Sequence, residues 1–163
     1  MDEVMKMRKW LLPTIAIPVV LAIVGFTYAQ RNTILLTQTS VDKVIKAAHF
    51  PVKKPTFLPF CVIQSWGQIT TVVKGDSNNT EISIVYAGKG NSMAEYVAPT
   101  GSGLIKIPYH QPTVYMSNGR TATYVKGSGT LFWQQGNEIY NLIVHPYNLL
   151  SESELIKIAD SVK

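Results

Sequence analysis

The hydrophobic pattern divides this chain into two unlike parts. From residue 10 to residue 29, twenty positions in a row carry no charge, and the run is apolar around every side of a helix. At about 1.5 Å of rise per residue such a helix is about 30 Å long, the thickness of a hydrocarbon core. A helix of a soluble domain needs only an apolar stripe. The run is therefore predicted to be a transmembrane signal-anchor helix. Pro13 and Pro18 are tolerated in a membrane helix, Pro18 as a kink. Trp10 and Tyr28 bracket the segment where interfacial aromatics belong.

After a polar linker at 30–39 the period changes. Val41, Val44, Ile45 and Ala48 fall at helical offsets 0, 3, 4 and 7, with Ser40 placed to cap them. That helix ends near His49, because Pro51 restricts Phe50. Residues 50–59 hold three prolines, which excludes a helix or a central strand. They predict an extended strap pegged by Phe50, Val52, Phe57 and Leu58. Strand patterns follow at 61–66 and 69–74, separated by Gly67, and a turn cluster covers 75–79. Residues 81–87 alternate, with Ile82, Ile84 and Tyr86 on one side. Residues 88–103 are the least patterned and offer at most a helical turn at 93–97; the stretch reads as a long loop.

Four closely spaced strands come next. Strands at 113–117 and 121–126 are joined by Asn118-Gly119, a strong hairpin signal. Strands at 130–134 and 138–144 are joined around Gly136-Asn137. Short connections imply antiparallel neighbours. The last helix carries a capping box, Ser151 with Glu154, and a staple pair, Leu150 with Leu155. Its apolar residues Leu155, Ile158, Ala159 and Val162 share one face and must dock. The expected fold is α+β: an antiparallel sheet of about six or seven strands flanked by an N-terminal and a C-terminal helix. The expected organisation is a cytoplasmic tail at 1–9, the membrane helix at 10–29, the linker at 30–39 and one extracytoplasmic domain at 40–163.

Charge gives the arrangement a direction. Lys6, Arg8 and Lys9 precede the apolar run and only Arg31 follows closely, which places the N-terminus inside and the domain outside the cell membrane. The rival is a signal peptide cleaved near Ala29, since Thr27 and Ala29 make an imperfect small-residue pattern. That product would be secreted. The net charge of +5 is dispersed, and Lys53-Lys54 is the only adjacent basic pair after residue 9. Nucleic acid is not an expected partner, because no basic stripe or module is present.

Few residues suggest chemistry. Cys61 stands alone, so no internal disulfide forms; it is expected to be a small buried residue. His49, His110 and His145 have no metal-ligand spacing to one another or to acids. No Gly-x-Ser-x-Gly elbow or phosphate loop occurs. No metal, cofactor or catalytic residue is assigned, and a non-enzymatic role is expected.

The strap and the last helix together resemble the ends of a bacterial family, domain of unknown function 4367. The likeness rests on Phe50-Pro-Val-Lys-Lys-Pro-Thr-Phe-Leu-Pro59 after an amphipathic helix. It also rests on Gly129-Thr-Leu-Phe-Trp133, the strand at 138–144 and Leu150-Ser-Glu-Ser-Glu-Leu-Ile-Lys-Ile-Ala159. It spans roughly 40–163 and is weak in the middle. Phe60-Cys61 departs from the family's usual Gly-Tyr-like pair. The resemblance implies an extracytoplasmic domain of a Bacillus-like Gram-positive cell behind one membrane helix, with a sensing or binding role. A tail of about nine residues is too short to hold a sigma factor, so an anti-sigma role does not carry over.

Aromatic side chains are the remaining candidates. Their plainer role is to fill the core and the sheet faces. As a ligand surface for an envelope peptide, glycan, lipid or protein partner, Tyr96, Tyr109, His110, Tyr115 and Trp133 are the candidate residues. The leading expectation is a membrane-anchored binding or sensory module. The contrasting ones are an envelope hydrolase whose site assembles only in the fold, and a structural subunit of a membrane complex.

Overall fold

A computed structural model of the chain describes residues 34–35, 38–71, 79–147 and 149–163. The predicted tail, membrane helix and cleavage site, and most of the 75–79 turn, lie outside the described residues. Within them no helix is long and apolar enough to cross a membrane. Residues 34–163 form one compact α+β unit.

The strands are β1 (Ile34–Leu35), β2 (Gln64–Thr71), β3 (Thr80–Ala87), β4 (Ser92–Pro99), β5 (Thr113–Tyr115), β6 (Thr121–Val125), β7 (Thr130–Gln135) and β8 (Glu138–His145). They form one antiparallel sheet in the order β1-β2-β3-β4-β8-β7-β6-β5. Seven strands have three or more residues; β1 has two. The helices are α1 (Val41–Ala47) and α2 (Glu152–Asp160). Two meanders, β1 to β4 and β5 to β8, meet where β4 pairs with β8 from Ser92↔His145 to Pro99↔Glu138.

Two sequence expectations for strands are corrected. Residues 88–103 hold β4, a central strand, rather than a loop. Its inward positions are Met93, Glu95 and Val97, and the charged residue in the middle interrupts the apolar alternation. Gly67 does not separate two strands; β2 runs through it. A Cβ at Gly67 would lie 2.7 Å from Val44 Cγ2 and 2.9 Å from Val44 Cβ. The glycine is what lets α1 rest directly on the sheet. Part of the expected linker is also sheet: Ile34 and Leu35 pair with Thr71 and Thr70, and Thr39 bridges Gly67.

One face of the sheet is covered. Val44 of α1 and Leu155, Ile158, Ala159 and Val162 around α2 join Ile82, Ile84, Met93, Leu131, Trp133, Tyr140 and Leu142 in one core. The C-terminal helix starts as its sequence predicts. The Ser151 amide donates to Glu154 Oε2 at 2.8 Å and the Glu154 amide to Ser151 Oγ at 3.3 Å. Leu150 and Leu155 are both buried. Ser40, by contrast, makes no side-chain cap bond.

The strap closes this face. Phe50, Val52 and Leu58 pack on the core, joined by Phe60. Phe57, an expected peg, is instead 44% exposed. Its segment is held by backbone bonds: Thr56 N–H donates to the Ser161 carbonyl at 3.1 Å, and Phe57 N–H to Ser161 Oγ at 3.1 Å. Pro55 bridges Val162, and the Lys53 amide donates to the Tyr140 hydroxyl at 3.3 Å. Cys61 is exposed, not buried, because it follows the strap before β2 begins.

Gly67→Ala should destabilise the chain by about 1–3 kcal/mol, the usual cost of overpacking. Adding Val44→Ala should recover part of that loss, because it removes the atoms that the new methyl meets. Denaturant unfolding of the single and double variants measures both effects.

Candidate functional site on the second face

Successive strand residues point to opposite faces. The register therefore fixes which side chains share the face turned away from α1 and α2. One row crosses seven strands: Gln68, Ser83, Tyr96, Asn141, Phe132, Thr123 and Thr113. At about 4.8 Å between strands the row is about 29 Å long. A parallel row holds Trp66, Val85, Ala94, Ile143, Thr130 and Val125. A third includes Ala98, Ile139 and Gln134, with Thr121 and Tyr115 beyond.

The composition of this face is unusual. Among its described strand residues the one carboxylate is Glu81, and no lysine or arginine is present. Burial raises the Glu81 pKa above its ordinary value. Burial also raises Tyr96, and the neighbouring Glu81 charge adds to that rise. The remainder is amide, hydroxyl, aliphatic and aromatic.

The segment between β4 and β5 walls one side of the face. It must pass β8, β7 and β6 to reach the sheet edge. Ile105 and Ala98 are buried yet belong to neither helix-covered cluster nor its packing shell. Ile107 lines a depression of about 640 Å³ with Thr113, Arg120, Thr121, Thr123, Phe132 and Gln134. The segment therefore crosses on the second face. Its start is held by the Thr100 amide, which donates to the Asn137 carbonyl at 2.9 Å.

Four of the five predicted surface residues belong to this side or to its crossing segment. Tyr96 is half-buried in the long row, beside its central residue Asn141. Tyr115 is 78% exposed beside Thr121. Tyr109 is 88% exposed and His110 is exposed at φ 62°, both in the crossing segment just past Ile107. Trp133 does not join them. It is 1% exposed in the core, stacked on Tyr140 with ring centroids 5.0 Å apart. Phe132, its neighbour, takes the outward position. Polar Gln134 shares the parity of Phe132, while apolar Leu131 shares that of Trp133, so the signal was present in the sequence.

The other chemical candidates stay apart. His49, His110 and His145 are exposed on separate segments, and His145 lies edge-on to Tyr147 at 5.6 Å. Among the described residues no three His, Cys, Asp or Glu side chains gather as a metal site. A smaller hollow of about 470 Å³ lies between Phe57 and α2, bordered by Ser117, Lys157 and Asp160. There Ser117 donates to Asp160 Oδ2 through its hydroxyl at 2.6 Å and its amide at 3.0 Å.

Sequence reasoning gave no role to Glu95. It is fully buried on β4, facing the helix-covered core, directly opposite Ile84 and Leu142. Neither carboxyl oxygen has a hydrogen-bond partner, nor does the nearby Tyr86 hydroxyl. Burial pushes the Glu95 pKa up to about 8, so the acid is largely protonated at neutral pH. Burial and then the Glu95 charge raise Tyr86, and burial is the main cause that pushes Tyr140 up to about 12.

No family model matches the chain, and no curated protein or solved structure is similar to it at a significant level.

Glu95 should impose a pH dependence on stability. The fold keeps its proton while the unfolded chain releases it, so stability falls as pH rises from about 4.5 toward about 8. At pH 7 the cost is on the order of 3 kcal/mol. Glu81 adds in the same direction. Glu95→Gln should remove most of this slope, leaving the variant relatively more stable at pH 8 than at pH 5. Thermal melts of both chains across that range measure it.

Proposed function

We propose that this chain is a membrane-anchored binding or sensory module of the bacterial envelope, with residues 10–29 as the anchor and the α+β domain outside the cell membrane. The role is non-catalytic. The observation that carries the binding role is the second sheet face. It carries little ionic charge and is served by the exposed Tyr109 and Tyr115, while α1, α2 and the strap pack on the other face. An exposed surface of that kind is more often a contact site than an idle one. The anchor rests on the uncharged run and its flanking basic residues. The resemblance of 40–163 to domain of unknown function 4367 supports the same placement in a Bacillus-like Gram-positive cell.

The topology has a direct test. The full chain with a C-terminal tag, expressed in a Gram-positive bacillus, should sediment with membranes. Protease added to intact cells should remove the tag. A tag that stays protected, or a chain found in the cytosol, overturns the proposal. A chain recovered from the medium with a new N-terminus near Gln30 instead selects the secreted form.

A further inference from the structure

Glu95 is 0% exposed, and neither of its carboxyl oxygens has a hydrogen-bond partner. Strands flank it on both sides, with Ile84 of β3 opposite it on one and Leu142 of β8 on the other. Water can therefore reach the carboxyl only from the covered face. Three elements make that cover. α1 rests on β2 at Gly67. The end of α2 lies toward the far half of the sheet, where the Val162 carbonyl accepts from Gln135 Nε2 of β7 at 3.5 Å. The strap comes between: its Lys53 amide donates to the Tyr140 hydroxyl on β8, the strand beside β4. The strap is also the least secured. It forms no helix and no strand longer than the Pro55–Val162 bridge, and Lys53, Lys54, Thr56 and Phe57 are exposed. A segment held by a few exposed backbone bonds opens before the strands do.

The surroundings of Glu95 offer hydroxyls and no positive charge. On this face β4 adds only Met93 and Val97. From β3 comes Tyr86, whose hydroxyl is buried without a partner. From β8 come Tyr140 and, farther along, Glu138. Tyr86 and Tyr140 both feel the Glu95 charge. Lys53 and Lys54 of the strap and Lys43 and Lys46 of α1 are exposed, and Asp42 pairs with Lys54 at 3.3 Å. On α2, Glu152 and Lys157 are exposed, Glu154 closes the capping box and Asp160 holds Ser117. Arg120 is bonded to Gln135. Burial is the cause of the raised Glu95 pKa, and no cation offsets it.

We propose that Glu95 makes the strap a pH-operated latch, closed while the carboxyl holds its proton and released from the core when that proton leaves at alkaline pH. An ionised carboxylate in an apolar core needs water. Lifting the strap admits water to the β4–β8 seam and leaves the sheet paired. The proton goes to solvent, so the closed and open domains differ by one proton. The sign follows from the closed state. Under the strap Glu95 titrates at about 8, and with water admitted it returns toward the ordinary 4.5. The opening constant therefore rises with pH between those values, about tenfold per unit, and levels off above about 8. Release uncovers the apolar pegs Val52, Leu58 and Phe60. The latch goes beyond the anchored reading and does not depend on it; in a domain outside the membrane its input would be the pH of the medium.

The test is amide hydrogen exchange of the full chain in detergent from pH 5 to 9. It is read at Lys53, Thr56 and Phe57 and at the β8 amides of the seam, each rate being divided by that of the unstructured chain at the same pH. The strap amides should open at least about tenfold more often than the seam, with little sensitivity to low denaturant. Their opening constant should rise about tenfold per pH unit and flatten near pH 8. Glu95→Gln keeps the size of the side chain and cannot ionise, so its strap opening should be independent of pH. Tyr140→Phe removes the acceptor of the Lys53 amide, so opening should increase at every pH with the slope retained. Strap amides that exchange only together with the seam overturn the latch, as does a pH slope shared by the natural chain and Glu95→Gln. The natural chain also decides by itself: a flat strap profile overturns the latch even where the Glu95 variant does not fold. None of these outcomes bears on the membrane topology, so the two readings fail separately.

Discussion

The pairing of β4 with β8 is the interaction on which the rest of this domain depends. Each meander pairs strands that are neighbours in sequence, through short connections except where α1 and the strap separate β1 from β2. The β4–β8 seam is the non-local joint that turns two four-stranded ribbons into one sheet. Such a joint forms only after considerable loop-closure entropy has been lost. It is stabilised by burying Met93, Val97, Tyr140, Leu142 and Val144 on one side. It is weakened by Glu95, which lies in the middle of the seam with no partner for either oxygen. A leucine there would extend the apolar row. The carboxyl costs desolvation in its charged form, and the fold meets that cost by holding the proton.

The seam creates a wide face, and two distant chain segments close it together. The strap precedes the first long strand and α2 is the last element, yet residues 53–57 and 161–163 are stitched by backbone bonds and a bridge. Prolines in the strap have no amide to leave unsatisfied. The amides of Lys53, Thr56 and Phe57 go to Tyr140 and Ser161. The strap and the end of α2 are therefore parts of a single cover over Tyr140 and the core.

Local signals were the legible part of the sequence. The capping box, the Asn118-Gly119 hairpin and the Val41–Val44–Ile45–Ala48 stripe each depend on a few neighbouring residues, and each predicted its element. The failures have tertiary causes. β4 was hidden because Glu95 occupies an inward position, where a charge normally marks the outside. Gly67 read as a break because its reason for being glycine, contact with Val44, comes from another element. Cys61 read as core because small apolar residues usually are. At the candidate site, Tyr96 and Tyr115 were recognisable as aromatics on strands. The row that Tyr96 shares with Phe132 was not, because it needs the strand order across the seam.

Parity then decides what the aromatics do. Phe132 and Trp133 are adjacent, so a strand must send them to opposite faces. Trp133 goes inward to stack on Tyr140, and Phe132 goes outward between Asn141 and Thr123. The same rule separates Tyr96 from the buried Glu95 and Val97, and Tyr115 from the buried Val114 and Met116. Each inward residue of these pairs serves the core, so its outward neighbour has no role in closing it. Core packing therefore fixes where the outer aromatics stand without using them. The row that Tyr96 shares with Phe132 follows from the register in which the seam joins the two meanders. A shift of one residue in the β4–β8 register would keep both meanders intact and still destroy it.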